Sequence, residues 1–394
     1  MDFSNWKSRI ENDLADAKQT LEQKQQIMAR LQQVHQQVRD VIDSGSTSAN
    51  GIPWELARGL SILDDVLDGK PLPTTEDELP TRVMDDGTLL GCRKWELLDP
   101  LWGEALVQWI GHLRDFAPWG GQPSRIAIPD QTSISIAGDW GTGDYIAAKV
   151  AAAMNKQGAD YTIHLGDVYY AGIGSDESND LKDWPAGSKG QFTLNSNHEM
   201  YNGALGYFGE LSSKFPMQQG TSYFSLHNQN WLIVGLDSAY HSDKMNLYMD
   251  GALGDQQTAW LKQLAAGWDK KIMLLSHHQG YDMDGSNKTP LYQEVVAALG
   301  REPDYWYWGH LHNVICYKQQ GLMTGRCVGH GAIPYGPAKV LDGKPQVAWA
   351  ETSSADDSQY PERVLNGFVR LELNGDALTE VFYDENGYRR WPEG

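Results

Sequence analysis

TSISIAGDWG (residues 132–141), YTIHLGDVYY (161–170) and YWYWGHLHN (305–313) are the stretches on which the fold of this chain is read. Each starts as a short run of β-branched or aromatic residues and ends in Gly followed by Asp or His. Runs of that length, closed by a polar turn, predict buried strands that carry polar residues at their carboxyl ends. WLIVGLDSAY (231–240) and KIMLLSHHQG (271–280) follow the same pattern. Helices are expected between them, at Tyr145 to Lys156, Asp255 to Ala265 and Tyr292 to Leu299, so the class is α/β with mixed sheets. GFVRLELNGDALTEVFYDENG (367–387) adds two alternating strands about Asn374-Gly375, a strong hairpin signal.

Upstream the pattern is helical. Phe3, Ile10, Leu14, Ala17, Leu21, Met28, Leu31, Val38 and Ile42 recur on a three-four spacing, which predicts one long amphipathic helix. Its apolar seam fits either a second copy of the chain, as a coiled coil, or the body of its own chain. SGSTSANG (44–51) reads as a loop, WELARGLSILDDVLDG (54–69) as a second helix, and PLPTTEDELPT (71–81) as a break. Trp95 to Trp119 is expected to be helical, with Pro118 to Pro129 leading into the next unit. The expected division is therefore a helical region, 1–125, followed by an α/β domain, 126–394.

The 394 residues are enough for a large core, and 41% hydrophobic content with 15 Trp and 18 Tyr marks a folded protein. A formal charge of −20 repels phosphate polyanions, which argues against nucleic acid and anionic membranes as partners. A phosphate-bearing substrate would need local cations to draw it in. No signal-like start and no membrane-length apolar stretch is present, so the cytoplasm is the default location, with a secreted mature form as the alternative. Three cysteines make no framework, although Cys316 and Cys327 flank the turn-like Gln320-Gly321 and so raise a hairpin disulfide against two buried thiols.

Five expected strand ends carry Asp139, Asp167 with Tyr170, Asn197-His198-Glu199, His277-His278, and His310 with His312. Any one of these alone is weak. Together nearly all of them are possible metal ligands, and residues two apart on a strand, such as His310 and His312, face the same side and can enter one cavity. His164 reads as a strand residue, Trp306 and Trp308 as core, and Asp282 and Asp284 as loop.

In this order the motifs resemble the calcineurin-like metallophosphoesterase superfamily, whose signature runs D-x-H or D-x-G, G-D, G-N-H-D/E, H and G-H-x-H. The resemblance spans about Thr132 to Tyr383. Gly138-Asp139-Trp140-Gly141 and Gly166-Asp167-Val168-Tyr169-Tyr170 are similar to the purple acid phosphatase branch, which supplies a Tyr three residues after the second Asp. The resemblance implies two mixed β-sheets packed as a sandwich flanked by helices. It also implies Asp139, Tyr170 and His312 on a first metal, Asn197, His277 and His310 on a second, and Asp167 between them. Such donors suit Fe(III) first and Zn(II), Fe(II) or Mn(II) second.

By the same resemblance, the expected reaction is attack of a metal-bound hydroxide on a small phosphomonoester. His198 would contact phosphate and protonate the leaving group, Glu199 would orient His198 or the water, and His278 and His330 would touch substrate. A phosphodiesterase acting on cyclic nucleotides or other diesters is the alternative within this chemistry. An oligomerising scaffold on the same fold is the alternative outside it. One departure stands out: Ser196 occupies the place where the family usually has Gly, and an altered loop is expected there.

Overall fold

The computed structural model describes residues 77–99 and 101–392, with Ser44 and Thr75. The two helices expected before residue 70, and pairing of copies through the first of them, lie outside the described residues. A short antiparallel pair opens the described chain, β1 (Arg82–Val83) with β2 (Leu89–Leu90), followed by helix α1 (Trp102–Gly111). The helix expected over Trp95 to Trp119 is thus confined to its middle. Pro100 disfavours helical backbone in the residue before it, and Trp95 is left-handed with φ 69°. The stretch expected to be a plain connection forms β3 (Ser124–Ala127), an edge strand paired in parallel with β7 (Phe224–His227). The expected domain boundary at 125/126 falls inside that strand.

Two mixed sheets follow. The smaller runs β16 (Arg389–Trp391), β15 (Ala377–Asp384), β14 (Gly367–Asn374), β4 (Gln131–Ala137), β5 (Tyr161–His164) and β6 (Gly190–Thr193). The larger runs β13 (Val347–Ala350), β11 (Val314–Tyr317), β12 (Thr324–Val328), β10 (Tyr305–Trp308), β9 (Lys271–Ser276), β8 (Trp231–Gly235), β7 and β3. The expected hairpin is present, with Asn374 opposite Ala377 across the Gly375-Asp376 turn.

Alternation along each strand builds the layers. Trp231 and Ile233 on β8, Met273 and Leu275 on β9, and Tyr307 on β10 point into the sandwich, where they meet Ile134, Ile136, Ile163 and Leu371 of the smaller sheet. Their neighbours Leu232, Val234, Ile272, Leu274, Trp306 and Trp308 face outward onto helices α6 (Asp255–Ala265) and α7 (Pro290–Leu299). Helix α2 (Tyr145–Gln157) buries Ile146, Val150 and Met154 in the separate core beside the smaller sheet. Side chains of this size each contribute about 1.5–3 kcal/mol on full burial. Helix starts are set by sequence: Asp144 caps α2, and Thr289 caps α7 just before Pro290. The Pro explains why α7 begins before the expected Tyr292.

All three cysteines are free. Cys327 lies opposite Ile315 and Cys316 opposite Arg326, so the two thiols are diagonal and face different cores, one inside the sandwich and one outside it. Among the described residues no helix is long and apolar enough to cross a membrane.

Candidate metal centre

Parallel strands β4, β5 and β6 of one sheet and β9, β10 and β12 of the other end at the same edge of the sandwich. Backbone bonds tie the ends together across the sheets: Gly138 N donates to Val328 O at 2.9 Å, and Gly309 N to His277 O at 3.0 Å. Asp139, Asp167, His277, His310 and His312 lie in the loops that follow, Asn197 opens the helix after β6, and all are buried. Asp139, Asp167, His310 and His312 are left-handed, with φ of 57°, 74°, 69° and 52°. Each such residue costs about 1–2 kcal/mol without Gly, and strain of this kind gathers where function requires it.

Three helices take part. The carboxyl end of β6 runs into α4 (Asn197–Tyr201), which follows α3 (Gly174–Asp180) and precedes α5 (Leu205–Lys214). Ser196 caps α4 in an extended conformation, φ −135°, with its hydroxyl accepting His198 N at 3.1 Å. The position where an altered loop is expected is thus extended backbone that Ser adopts readily. The same hydroxyl bonds the carboxylates of Asp167 and Glu199.

The imidazole of His277 shows what the cluster is built to hold. Its Nδ1 faces Leu165 O at 2.9 Å and must donate there. Burial pushes the ring down to about 3, so it is neutral and Nε2 carries a lone pair. That lone pair faces Asn197 Oδ1 at 2.8 Å and Asp167 Oδ1 at 3.2 Å. Asn197 uses its amide hydrogens on Tyr201 Oη at 3.0 Å, so its oxygen is the atom turned inward. These acceptors converge with His310 Nδ1, 3.1 Å from His277 Nε2, an arrangement of donor atoms that a cation would stabilise. Donor atoms of Asp139, Asp167 and His277 all lie within 4.8 Å of one another. His312 Nε2 stands 3.4 Å from Asp139 Oδ1 and 3.8 Å from Asp167 Oδ2. Asp139 in turn receives His310 N at 2.9 Å. Gly309 makes this approach feasible, since a Cβ there would sit 2.5 Å from Asp139 Oδ2.

Tyr170 is not brought to the cluster. Its hydroxyl bonds Asp99, and its ring stacks on Trp95 at 4.5 Å and 11°. Burial, then the Asp99 charge, pushes the phenol well above its ordinary value. The neighbouring Tyr169 takes the expected place: its hydroxyl donates to Asp167 Oδ2 at 2.8 Å and stands 3.0 Å from His312 Nε2. The only signal of this in the sequence is the Tyr169-Tyr170 pair itself.

His198 lies at the centre, with Nδ1 on Tyr170 O at 2.8 Å and Nε2 turned toward Asp167 Oδ2 at 3.9 Å. The Glu199 carboxyl lies against Ser196 and Asp167 N, and burial first, then Asp167, pushes it up to about 8. His278 does not face an open site. Its ring is fixed between Ser238 Oγ at 2.8 Å and Tyr248 O at 2.6 Å, although its donors lie near those of His277 and His310. The His330 ring is buried and pushed down to about 3, and Nδ1 has no hydrogen-bond partner among the described residues. His164 is a core residue against Trp140 and Trp184, with Nδ1 3.2 Å from Thr193 Oγ1. Asp282 and Asp284 brace their own loop, Asp284 through Lys344 at 2.7 Å.

Residues 132–314 match the family model described as calcineurin-like phosphoesterase. No curated protein matches the sequence. Among solved structures, GAP50, the anchor in the inner membrane complex of Plasmodium, is 13% identical over 66% of this chain and 88% of its own, with a TM-score of 0.47. A dimetal phosphatase from Danio rerio is 13% identical over 64% and 96%, with a TM-score of 0.43. A protein from Thermus thermophilus is 11% identical over 64% and 98%, with a TM-score of 0.37.

Proposed function

We infer, for a chain whose residues 132–314 belong to the calcineurin-like phosphoesterase family, that it hydrolyses small phosphomonoesters at a two-metal centre. One observation supports the reading: the convergence of His277 Nε2, Asn197 Oδ1, Asp167 Oδ1 and His310 Nδ1, buried donor atoms that a cation would hold together. The ligands are then Asp139, Asp167, Tyr169 and His312 for the first metal, and Asp167, Asn197, His277 and His310 for the second. Carboxylates with a phenolate suit Fe(III), whereas an amide oxygen with two imidazoles suits Zn(II), Fe(II) or Mn(II).

When bound, the two cations supply Lewis acidity, neutralising phosphate oxygens and making water acidic enough to serve as the nucleophile. His198 supplies the proton. With Nδ1 held by the Tyr170 carbonyl, Nε2 of the protonated ring is the atom that can bond a phosphoryl oxygen and release its proton to the leaving alkoxide. Tyr169 at 4.5 Å and Trp102 at 5.8 Å flank that ring and keep water from it.

Metal content and hydrolysis measured together test the reading. Asp167→Asn and His310→Ala should lose bound metal and activity in parallel, and full activity in both would overturn it. Rates on a chromogenic monoester and its bis-ester decide the substrate class, with a large excess for the diester reversing the preference.

A further inference from the structure

Residues 82–99 and 101–102 lie outside the 132–314 family segment, yet they reach the centre. Their anchorage is broad. Gly336 N donates to Gly87 O at 2.6 Å, Val340 N to Asp85 O at 2.8 Å, and Tyr360 Oη to Lys94 O at 2.6 Å. Trp95 Nε1 adds a bond to Asp144 Oδ2 at 2.9 Å. This strap closes on Tyr170 from two sides. Trp95 stacks on the ring, while Trp102 meets it edge-on at 4.8 Å. The Tyr170 hydroxyl donates to Asp99, whose carboxylate is itself fixed by Trp95 N at 2.8 Å and Leu101 N at 3.0 Å.

Tyr170 is joined to the centre at two further points. Its carbonyl holds His198 Nδ1, and the residue before it, Tyr169, presents the hydroxyl that meets Asp167 and His312. The backbone between two adjacent residues leaves little slack, so moving Tyr170 moves both groups.

We propose that Asp99 and Trp95 are positioning residues for the metal centre: by clamping Tyr170 from outside the family segment, they set where the Tyr169 hydroxyl and the His198 ring stand. The proposal rests on the two-metal reading above and adds a dependence on the preceding chain that the family segment alone does not contain.

The test uses the full chain loaded with Fe(III) as probe, read by metal content and by the visible tyrosinate-to-iron band. Tyr169→Phe should abolish the band. Tyr170→Phe keeps the stack and removes only the hydroxyl, and it should shift the band and weaken iron binding about tenfold, equal to about 1.4 kcal/mol and typical of one lost hydrogen bond. Asp99→Ala should reproduce that shift, and Asp99→Asn, which retains an acceptor oxygen, should restore the native band. A purely structural role would lower the melting temperature without moving the band. Should Asp99→Ala fail to fold, Tyr170→Phe alone carries the test. Wild-type band and affinity in Tyr170→Phe overturn the proposal while leaving the two-metal reading intact, as does a full band in Tyr169→Phe. A wild-type protein that binds no metal overturns both.

Discussion

Glu96 offers a measurable handle on the strap that closes over the centre. Its carboxyl is fully buried; Thr81 Oγ1 donates to Oε1 at 2.6 Å, and Oε2 has no hydrogen-bond partner among the described residues. Burial pushes it from 4.5 up to about 7, against the pull of Thr81 and Arg93 and with a smaller push from Glu362. In the interval between those values the unfolded chain is ionised while the native chain keeps its proton. The native state therefore binds more protons there, and stability falls as pH rises. The contribution is fully present below pH 4.5 and is lost as pH rises through 7. A shift of that size, at about 1.4 kcal/mol per unit, amounts to about 3 kcal/mol. Glu96→Gln preserves the volume and the acceptor for Thr81 but does not titrate. Urea denaturation of both proteins across this range should show the wild type losing about 3 kcal/mol relative to the variant as pH rises. Packing differences between the two side chains add an offset that does not vary with pH, so the change in the gap is the quantity that counts. A gap that stays constant from pH 4.5 to 7 would refute the buried-carboxyl reasoning.

Two further substitutions probe the loops themselves. Gly309→Ala puts a methyl group 2.5 Å from Asp139 Oδ2, whose carboxylate is held in place by His310 N, so it should remove metal from the first site and cost about 1–3 kcal/mol of stability; two metals per chain in the variant would contradict this. Ser196→Ala removes the cap of α4 and should cost about 1 kcal/mol, whereas Ser196→Thr, compatible with the extended backbone there, should hold stability within about half of that; equal unfolding midpoints for Ala and Ser would count against the capping role.

The strands that matter most are those with uninterrupted apolar runs, and these are legible because burial on both faces demands such runs. TSISI, YTIH, KIMLLS and YWYW each form the strand expected of them, and each releases its candidate ligand just past its end. What the sequence conceals is weaker in pattern. β3 (SRIA) and β13 (VAWA) are edge strands four residues long, with polar or small residues on one face, and nothing local separates them from loops. Ser196 shows a related limit: its residue type suggests an altered loop, and only the observed φ shows that the position is an ordinary cap. His278 illustrates the same limit at a side chain. Nothing beside it in the sequence predicts that Ser238 and the Tyr248 carbonyl, from a distant loop, take both ring nitrogens.

The choice between Tyr169 and Tyr170 is the clearest case of non-local control. Both are tyrosines on one irregular turn, so residue type cannot separate them, and the family resemblance favours Tyr170. Two interactions decide otherwise. Asp99, far upstream in the chain, accepts the Tyr170 hydroxyl, and Trp95 covers the ring, so the phenol is committed before any metal arrives. A buried hydroxyl bonded to a carboxylate is worth more than a neutral pair, about 1.5–3 kcal/mol, and leaving it would take from the buried Asp99 carboxylate one of the donors it holds with Trp95 N and Leu101 N. Turning Tyr170 inward would therefore cost both that bond and the stack, while Tyr169 already meets Asp167 and His312 without either cost. It follows that removing Asp99 should do more than loosen Tyr170: it should erase the preference between the two tyrosines. Iron-loaded Asp99→Ala carrying Tyr169→Phe would then regain a tyrosinate band through Tyr170, whereas Tyr169→Phe alone stays colourless. A colourless double variant that still binds iron would show that the turn, and not Asp99, dictates which tyrosine faces the metal.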